Sequence, residues 1–435
     1  RVPPRPRRLH RIMNDRIDAD LVVVGASELV TCAGSAPASG PDQSRVSVVE
    51  NGALASRDGT IVWVGPERDL SRAVSLLPEA GRLDVRGRAV LPGLVDPHTH
   101  LVWAGDRADE LEQRLAGATY SEIAAAGGGI LRTVDATRAA GTGHLAALAA
   151  ERMDRLSSSG VTAMEVKSGY GLSQDHEIKI LRAARAAADS RPYEVVTTFL
   201  GAHTFPREAR ASSRDRGRYV DAVCGEMIPR VAELELARFA DVFVDRHAFS
   251  LAEAERVLRS AKEAGLGVKV HADQLADDGA AELAADMGAV SADHLEHASD
   301  AGLAALASAG TVAVLIPGAS LFLKMERHAD GRRMIERGVP VALATDLNPG
   351  TCPCASLSLV MQLGCLICGL SMDEAIVAAT LNAAAAAGLA GRAGSLEPGK
   401  RCDLVVLETA DRRGLVYELG SVRLHAVVAA GQRVV

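Results

Sequence analysis

Eight short apolar runs punctuate the middle of the chain: Leu94–Val102, Val161–Lys167, Val195–Leu200, Asp241–Val244, Val268–His271, Ser291–Leu295, Thr311–Ile316 and Val341–Thr345. Each leads into a helix-like stretch rich in Ala, Leu, Glu and Arg. Near-continuous apolar strands separated by helices imply a parallel sheet covered on both faces. Eight such units in about 300 residues match the size of a (β/α)8 TIM-type barrel. A doubly wound open sheet is the rival, but it gives no reason for chemistry to follow so many strands.

The two flanks have a different pattern. Leu21–Val24 follows Asp20, and an Asp58-Gly59 turn feeds the β-branched run Thr60–Val64. At the other end, Leu404–Leu407 follows Asp403, and Ala426–Val435 reads as strand, Gly431 turn and strand. These runs predict a small β-sandwich domain formed from both chain ends. The expected division is a tail over 1–18, β structure over 19–92, the barrel over 93–393, and the returning β segment over 394–435.

Charge and composition narrow the function. With 48 Lys+Arg against 55 Asp+Glu the net charge is −7, the wrong sign for a phosphate-binding surface. Two Trp, five Tyr and six Phe in 435 residues are too few for base-stacking platforms, so nucleic acid is not an expected partner. No run reaches the roughly 18 apolar residues of a membrane span. Ala375–Ala390, interrupted by Thr380, Asn382 and Gly388, predicts a buried Ala-rich helix. The Arg-rich N-terminus lacks the apolar segment of a secretory signal. Seven cysteines without a pairing framework fit a reducing cytoplasm.

Polar residues cluster where the eight runs end. The ends carry His98 and His100, then Lys167-Ser168-Gly169-Tyr170-Gly171, Gly201-Ala202-His203, Asp245-Arg246-His247, His271-Ala272-Asp273-Gln274, Asp293-His294, Pro317-Gly318, and Asp346 through Thr351. In a barrel these ends share one face, where active sites are built. Residues two apart on a strand project to one side, so His98 and His100 point together. With His271 and Asp346 they form a three-histidine, one-aspartate metal site suited to zinc or iron, one ion per chain.

The segment Leu91-Pro92-Gly93-Leu94-Val95-Asp96-Pro97-His98-Thr99-His100 resembles the first-strand signature of the amidohydrolase superfamily of metal-dependent hydrolases. Further segments are similar to one family within it. They include Ala104-Gly105-Asp106-Arg107, Gly127-Gly128-Gly129-Ile130, Lys167 through Leu172, His271 through Leu275, and Asn348-Pro349-Gly350-Thr351. The resemblance covers about residues 20–410, in order. It implies hydrolysis of 4-imidazolone-5-propanoate to N-formimino-L-glutamate in histidine degradation. It also implies His98, His100, His271 and Asp346 as metal ligands, with Asp346 moving the proton and His294 polarising the carbonyl. By the same resemblance Arg107, Tyr170 and His203 contact the substrate, Gln274 its ring, and Asn348, Gly350 and Thr351 the product-side carboxylate. A homodimer is common for such barrels.

Two departures bear on alternatives. Deaminases of the superfamily carry Glu three residues after the fifth-strand histidine, where this chain has Gln274. Members with two metals use a lysine at the end of the fourth strand, where this chain has Asp245-Arg246-His247. A single-metal hydrolase is therefore expected over a deaminase-type enzyme or an inactive scaffold. Lys167 is expected to form an ion pair behind the ligands. His247 stands where a small residue is expected in the family. Cys352, Cys354, Cys365 and Cys368 have the spacing of a zinc site, but the last two fall in an apolar helical stretch where cysteine behaves as a small hydrophobe.

Overall fold

The computed structural model describes residues 16–118, 122 and 127–435; most of the expected N-terminal tail, through residue 15, lies outside the described residues. From the N-terminal side come β1 (Ile17–Val30), β2 (Val48–Arg57), β3 (Thr60–Pro66), β4 (Val74–Asp84) and β5 (Val90–Pro92). The central strands are β6 (Leu94–Asp96), β7 (Val161–Lys167), β8 (Glu194–Ala202), β9 (Phe239–Phe243), β10 (Gly267–Ala272), β11 (Ser291–His294), β12 (Val312–Leu315) and β13 (Val341–Leu343). The chain ends with β14 (Leu404–Leu407), β15 (Leu424–Ala429) and β16 (Gln432–Arg433).

Strands β6 to β13 neighbour one another in sequence order, and every pairing is parallel. The first and last strands meet through backbone bonds from Asp346 N to His98 O and from His100 N to Leu347 O, both 3.0 Å. The result is a nearly closed eight-stranded barrel. Every residue of β7, β11, β12 and β13 is buried; β12 and β13 accordingly are apolar throughout, while β7 and β11 bury charged residues as well. The first run is shorter than its hydrophobicity predicts. Pro97 has no N–H to give a ladder, and β6 stops at Asp96.

The chain ends form a separate mixed sheet ordered β16-β15-β14-β5-β1-β2-β3, with β4 also on β1. β14 runs antiparallel to β5, placing Leu404 opposite Pro92 and Val406 opposite Val90. Val23, Leu29, Leu54, Ile61, Leu404, Val406 and Val428 share one buried core, so residues from both ends are needed to complete it. Gly93 alone separates β5 from β6, and a Cβ there would stand 2.2 Å from Thr162 Oγ1. This tight joint feeds the first strand straight from sheet to barrel.

The expected Ala-rich helix is two helices, Met372–Ala378 and Leu381–Ala386. Thr380 breaks it: its hydroxyl donates to Ile376 O at 2.6 Å, and its backbone leaves the helical region. Among the described residues no helix is long and apolar enough to cross a membrane.

Candidate active site

Inward side chains of barrel strands stack in layers, because alternate residues share a direction. The outermost layer collects His98 and His100 beyond β6, His271 on β10, His294 at the end of β11, and Asp346 beyond β13. One ligand atom from each of His98, His100 and His271 lies within 4.8 Å of the others, and all three residues are buried. The Nε2 atoms of His98 and His100 face each other at 3.3 Å. Asp346 Oδ1 lies 3.4 Å from His100 Nε2 and 3.6 Å from His98 Nε2. The His294 ring centre stands 5.3 Å from that of His271 and 5.6 Å from that of His98.

Burial pushes the His98 and His294 rings well below their ordinary pKa and takes His100 down to about 3. Neutral imidazoles keep a lone pair. His271 Nε2 and His294 Nδ1 are buried without a hydrogen-bond partner. Such groups are costly inside a protein unless something absent from the polypeptide satisfies them. Three buried imidazoles with ligand atoms within 4.8 Å of one another, and a carboxylate beside them, fit a cation of zinc or iron type. Burial also raises the Asp346 carboxyl to about 7, so its proton is exchangeable near neutrality.

A second layer orients the first. Asp293 Oδ2 takes a hydrogen bond from His98 Nδ1 at 2.5 Å, which leaves Nε2 as the lone-pair nitrogen. Asp241 Oδ2 lies 3.0 Å from His271 Nδ1. Lys167 Nζ joins these carboxylates, at 2.8 Å from Asp241, 3.0 Å from Glu165 and 3.5 Å from Asp293. Burial alone would lower the Lys167 ammonium, but the charges of Asp241, Glu165 and Asp293 hold it above its ordinary value. Deeper still, Glu165 bonds Lys269 and Thr198. Lys167 is thus the centre of a buried ion-pair network.

One wall of the site comes from the loops after β7 and β8. Glu177 accepts the backbone N–H groups of Gly169, Gly171 and Leu172 at 2.7–2.9 Å, folding the Gly-Tyr-Gly turn. Gly169 has φ +110, and a Cβ on it would meet His203 Nδ1 at 2.8 Å. Tyr170 is consequently buried with its ring 5.8 Å from His100 and 5.6 Å from His203. His203 stacks on His100 at 5.1 Å.

Arg107 is the N-cap residue of the helix Ala108–Leu115 and lies close enough for its charge to act on Tyr170. Its side chain is 9% exposed and pairs with Glu110, which is also buried. Gly350 packs directly against the guanidinium. Asn348 Nδ2 donates to Asp346 O, and its Oδ1 accepts from Gly350 N, Thr351 N and Thr351 Oγ1. That amide shapes its own loop beside Asp346.

Gln274 is half-buried on the loop after β10, and His247 is exposed. All seven cysteines are free, and no metal-ligating cluster among the described residues contains one. Sequence reasoning missed Asp241, Asp293, Glu165, Lys269 and Glu110. For the strand residues a signal existed: Glu165-x-Lys167 and Lys269-x-His271 repeat charge at the two-residue spacing of one strand face. Glu110 gave no signal beside Asp109 and Glu112.

Comparison with known proteins agrees with this architecture. A model of the amidohydrolase family matches residues 89–434. The imidazolonepropionase of Symbiobacterium thermophilum is 53% identical over 96% of this chain and 97% of its own length. That of Geobacillus kaustophilus is 48% identical over 95% and 98%. Among solved structures, a zinc-bound adenosine deaminase from Xanthomonas campestris superposes with a TM-score of 0.71 at 20% identity, covering 96% of this chain and 93% of that one.

Proposed function

The chain belongs to the amidohydrolase family, among the imidazolonepropionases, and on that premise we propose that it hydrolyses 4-imidazolone-5-propanoate to N-formimino-L-glutamate at the barrel mouth. The observation that carries this reading is the convergence of His98, His100, His271 and Asp346, with buried imidazole nitrogens left unpartnered. Those four residues would hold a single zinc or iron ion. A cation bound there supplies Lewis acidity, which acidifies water and polarises a carbonyl oxygen.

The remaining work falls to the chain. Water adds to the ring carbonyl, the carbonyl–nitrogen bond breaks, and one proton must travel from the water to the leaving nitrogen. Asp346 is the carrier, because its carboxylate sits beside the His98 and His100 ring nitrogens, where it can take the proton of the attacking water and return it to the leaving nitrogen. His294 is neutral and still carries one N–H, which it donates to the oxygen as negative charge develops. Arg107 binds the propanoate arm, and Tyr170 and His203 close the wall behind the ring. The fourth barrel strand, Phe239–Phe243, ends toward Asp245-Arg246-His247 without a lysine, which favours one metal over a bridged pair.

The test is absorbance loss of freshly made 4-imidazolone-5-propanoate with identification of the product, beside cytosine and adenosine as controls. We expect turnover of the imidazolone alone. A metal-replete protein that left it untouched would refute the reading.

A further inference from the structure

Arg107 presents a physical problem. A guanidinium that is 9% exposed must be paired in the resting protein, yet must keep donors for an incoming carboxylate. The structure answers with Glu110, three residues on. Arg107 Nε and Nη2 both reach Glu110 Oε2 at 2.8 Å, so one edge of the planar fork is occupied. Nη1 is turned the other way, against Gly350, where a Cβ would stand only 1.9 Å from it. The other oxygen of Glu110, Oε1, accepts Gly129 N–H at 2.9 Å. Gly129 is the N-cap of the helix Ile130–Ala139, with φ 76. Glu110 therefore ties the guanidinium plane to a second helix.

Arg114, two turns along the same helix from Arg107, also reaches this loop: its Nη2 donates to Gly350 O at 3.3 Å, and its guanidinium lies 4.9 Å from the Phe322 ring centre.

We propose that Glu110 is the positioning residue of the carboxylate subsite: by occupying one edge of Arg107 and anchoring to Gly129, it presents the other edge to the propanoate arm. This rests on the reading of Arg107 as the propanoate's partner. Removing the charge of Glu110 frees the guanidinium to rotate, so substrate binding suffers while the chemistry downstream is preserved.

The test is steady-state kinetics of Glu110→Gln, Arg107→Ala and the double variant Glu110→Gln/Arg107→Ala. Each is assayed on 4-imidazolone-5-propanoate and on its propanamide analogue, whose arm is uncharged. For Glu110→Gln on the carboxylate substrate we expect KM to rise about tenfold or more, the size of a weakened charge-assisted hydrogen bond, with kcat within about threefold. On the propanamide analogue, whose carbonyl oxygen accepts only a weaker bond from Arg107, the rise for Glu110→Gln should be several-fold smaller, and the double variant should be no worse than Arg107→Ala. A merely structural Glu110 would lower both substrates alike and add its loss to that of Arg107→Ala; either result overturns the proposal. Arg107→Ala with a raised KM beside Glu110→Gln with an unchanged one would overturn the role of Glu110 alone. An unchanged KM in Arg107→Ala would remove the reading of Arg107, and this proposal with it.

Discussion

Gly350→Ala isolates the seat of Arg107 with a single methyl group. The φ of Gly350 is not left-handed, and its N–H bond to Asn348 survives, so alanine fits the backbone. Space is the obstacle: the new Cβ would stand 1.9 Å from Nη1 and 2.4 Å from Cζ of Arg107. Ordinary contact between such atoms is about 3.5 Å, so the guanidinium must retreat by roughly 1.5 Å. A charge-assisted bond of about 2.8 Å to the substrate carboxylate would lengthen past 4 Å, beyond any hydrogen bond. Losing it costs about 1.5–3 kcal/mol, or roughly a 10- to 150-fold rise in KM. The retreat also strains the buried pair with Glu110, so a modest loss of stability accompanies the change in binding. Steady-state kinetics and thermal unfolding together give the reading: KM up, kcat nearly kept, Tm lowered by about 2–6 °C. A KM within twofold of the parent would refute the placement of Arg107 at the substrate arm. A Tm collapse would show that Gly350 serves the fold instead.

Two further outcomes test the deeper layers. Asp293→Asn removes the charge behind His98, and we expect metal affinity, measured by competition with a chelator, to fall about 10- to 100-fold; unchanged affinity would detach Asp293 from the metal centre. Glu296 is buried with Oε2 unpartnered, and burial raises its carboxyl from 4.5 to about 8. A raised carboxyl binds its proton more tightly in the folded state, so its stabilising contribution is full below pH 4.5 and is lost as pH rises toward 8, on the order of a few kcal/mol at most. Glu296→Gln should therefore flatten the decline in unfolding midpoint across that window, whereas an identical slope would show that Glu296 does not titrate there.

What the sequence disclosed, and what it hid, follows from the range of the interactions. The barrel was legible because strands buried on both faces need apolar residues at nearly every position, as in Val312–Leu315 and Val341–Leu343. His98, His100, His271 and Asp346 stood out because each falls where an apolar run ends. Their supports did not stand out, since Lys167 meets Asp241 across 74 residues and His98 meets Asp293 across 195. Only the closed barrel makes them neighbours. Glu110 looks like its exposed neighbour Glu112, and burial alone separates the two. Asn348, expected at the product carboxylate by resemblance, spends its amide on the turn that carries Gly350 and Thr351. Loop-internal bonds of that kind leave no trace in residue type.

The central claim is that water attacks the ring carbonyl of 4-imidazolone-5-propanoate. Turnover of metal-replete protein in ¹⁸O-labelled water, followed by mass spectrometry of the product, tests it most directly. The expected product is N-formimino-L-glutamate carrying one ¹⁸O in the newly formed carboxylate, with no turnover once the metal is stripped. Product with an unlabelled carboxylate, or label introduced at the carbon between the two ring nitrogens, would contradict it.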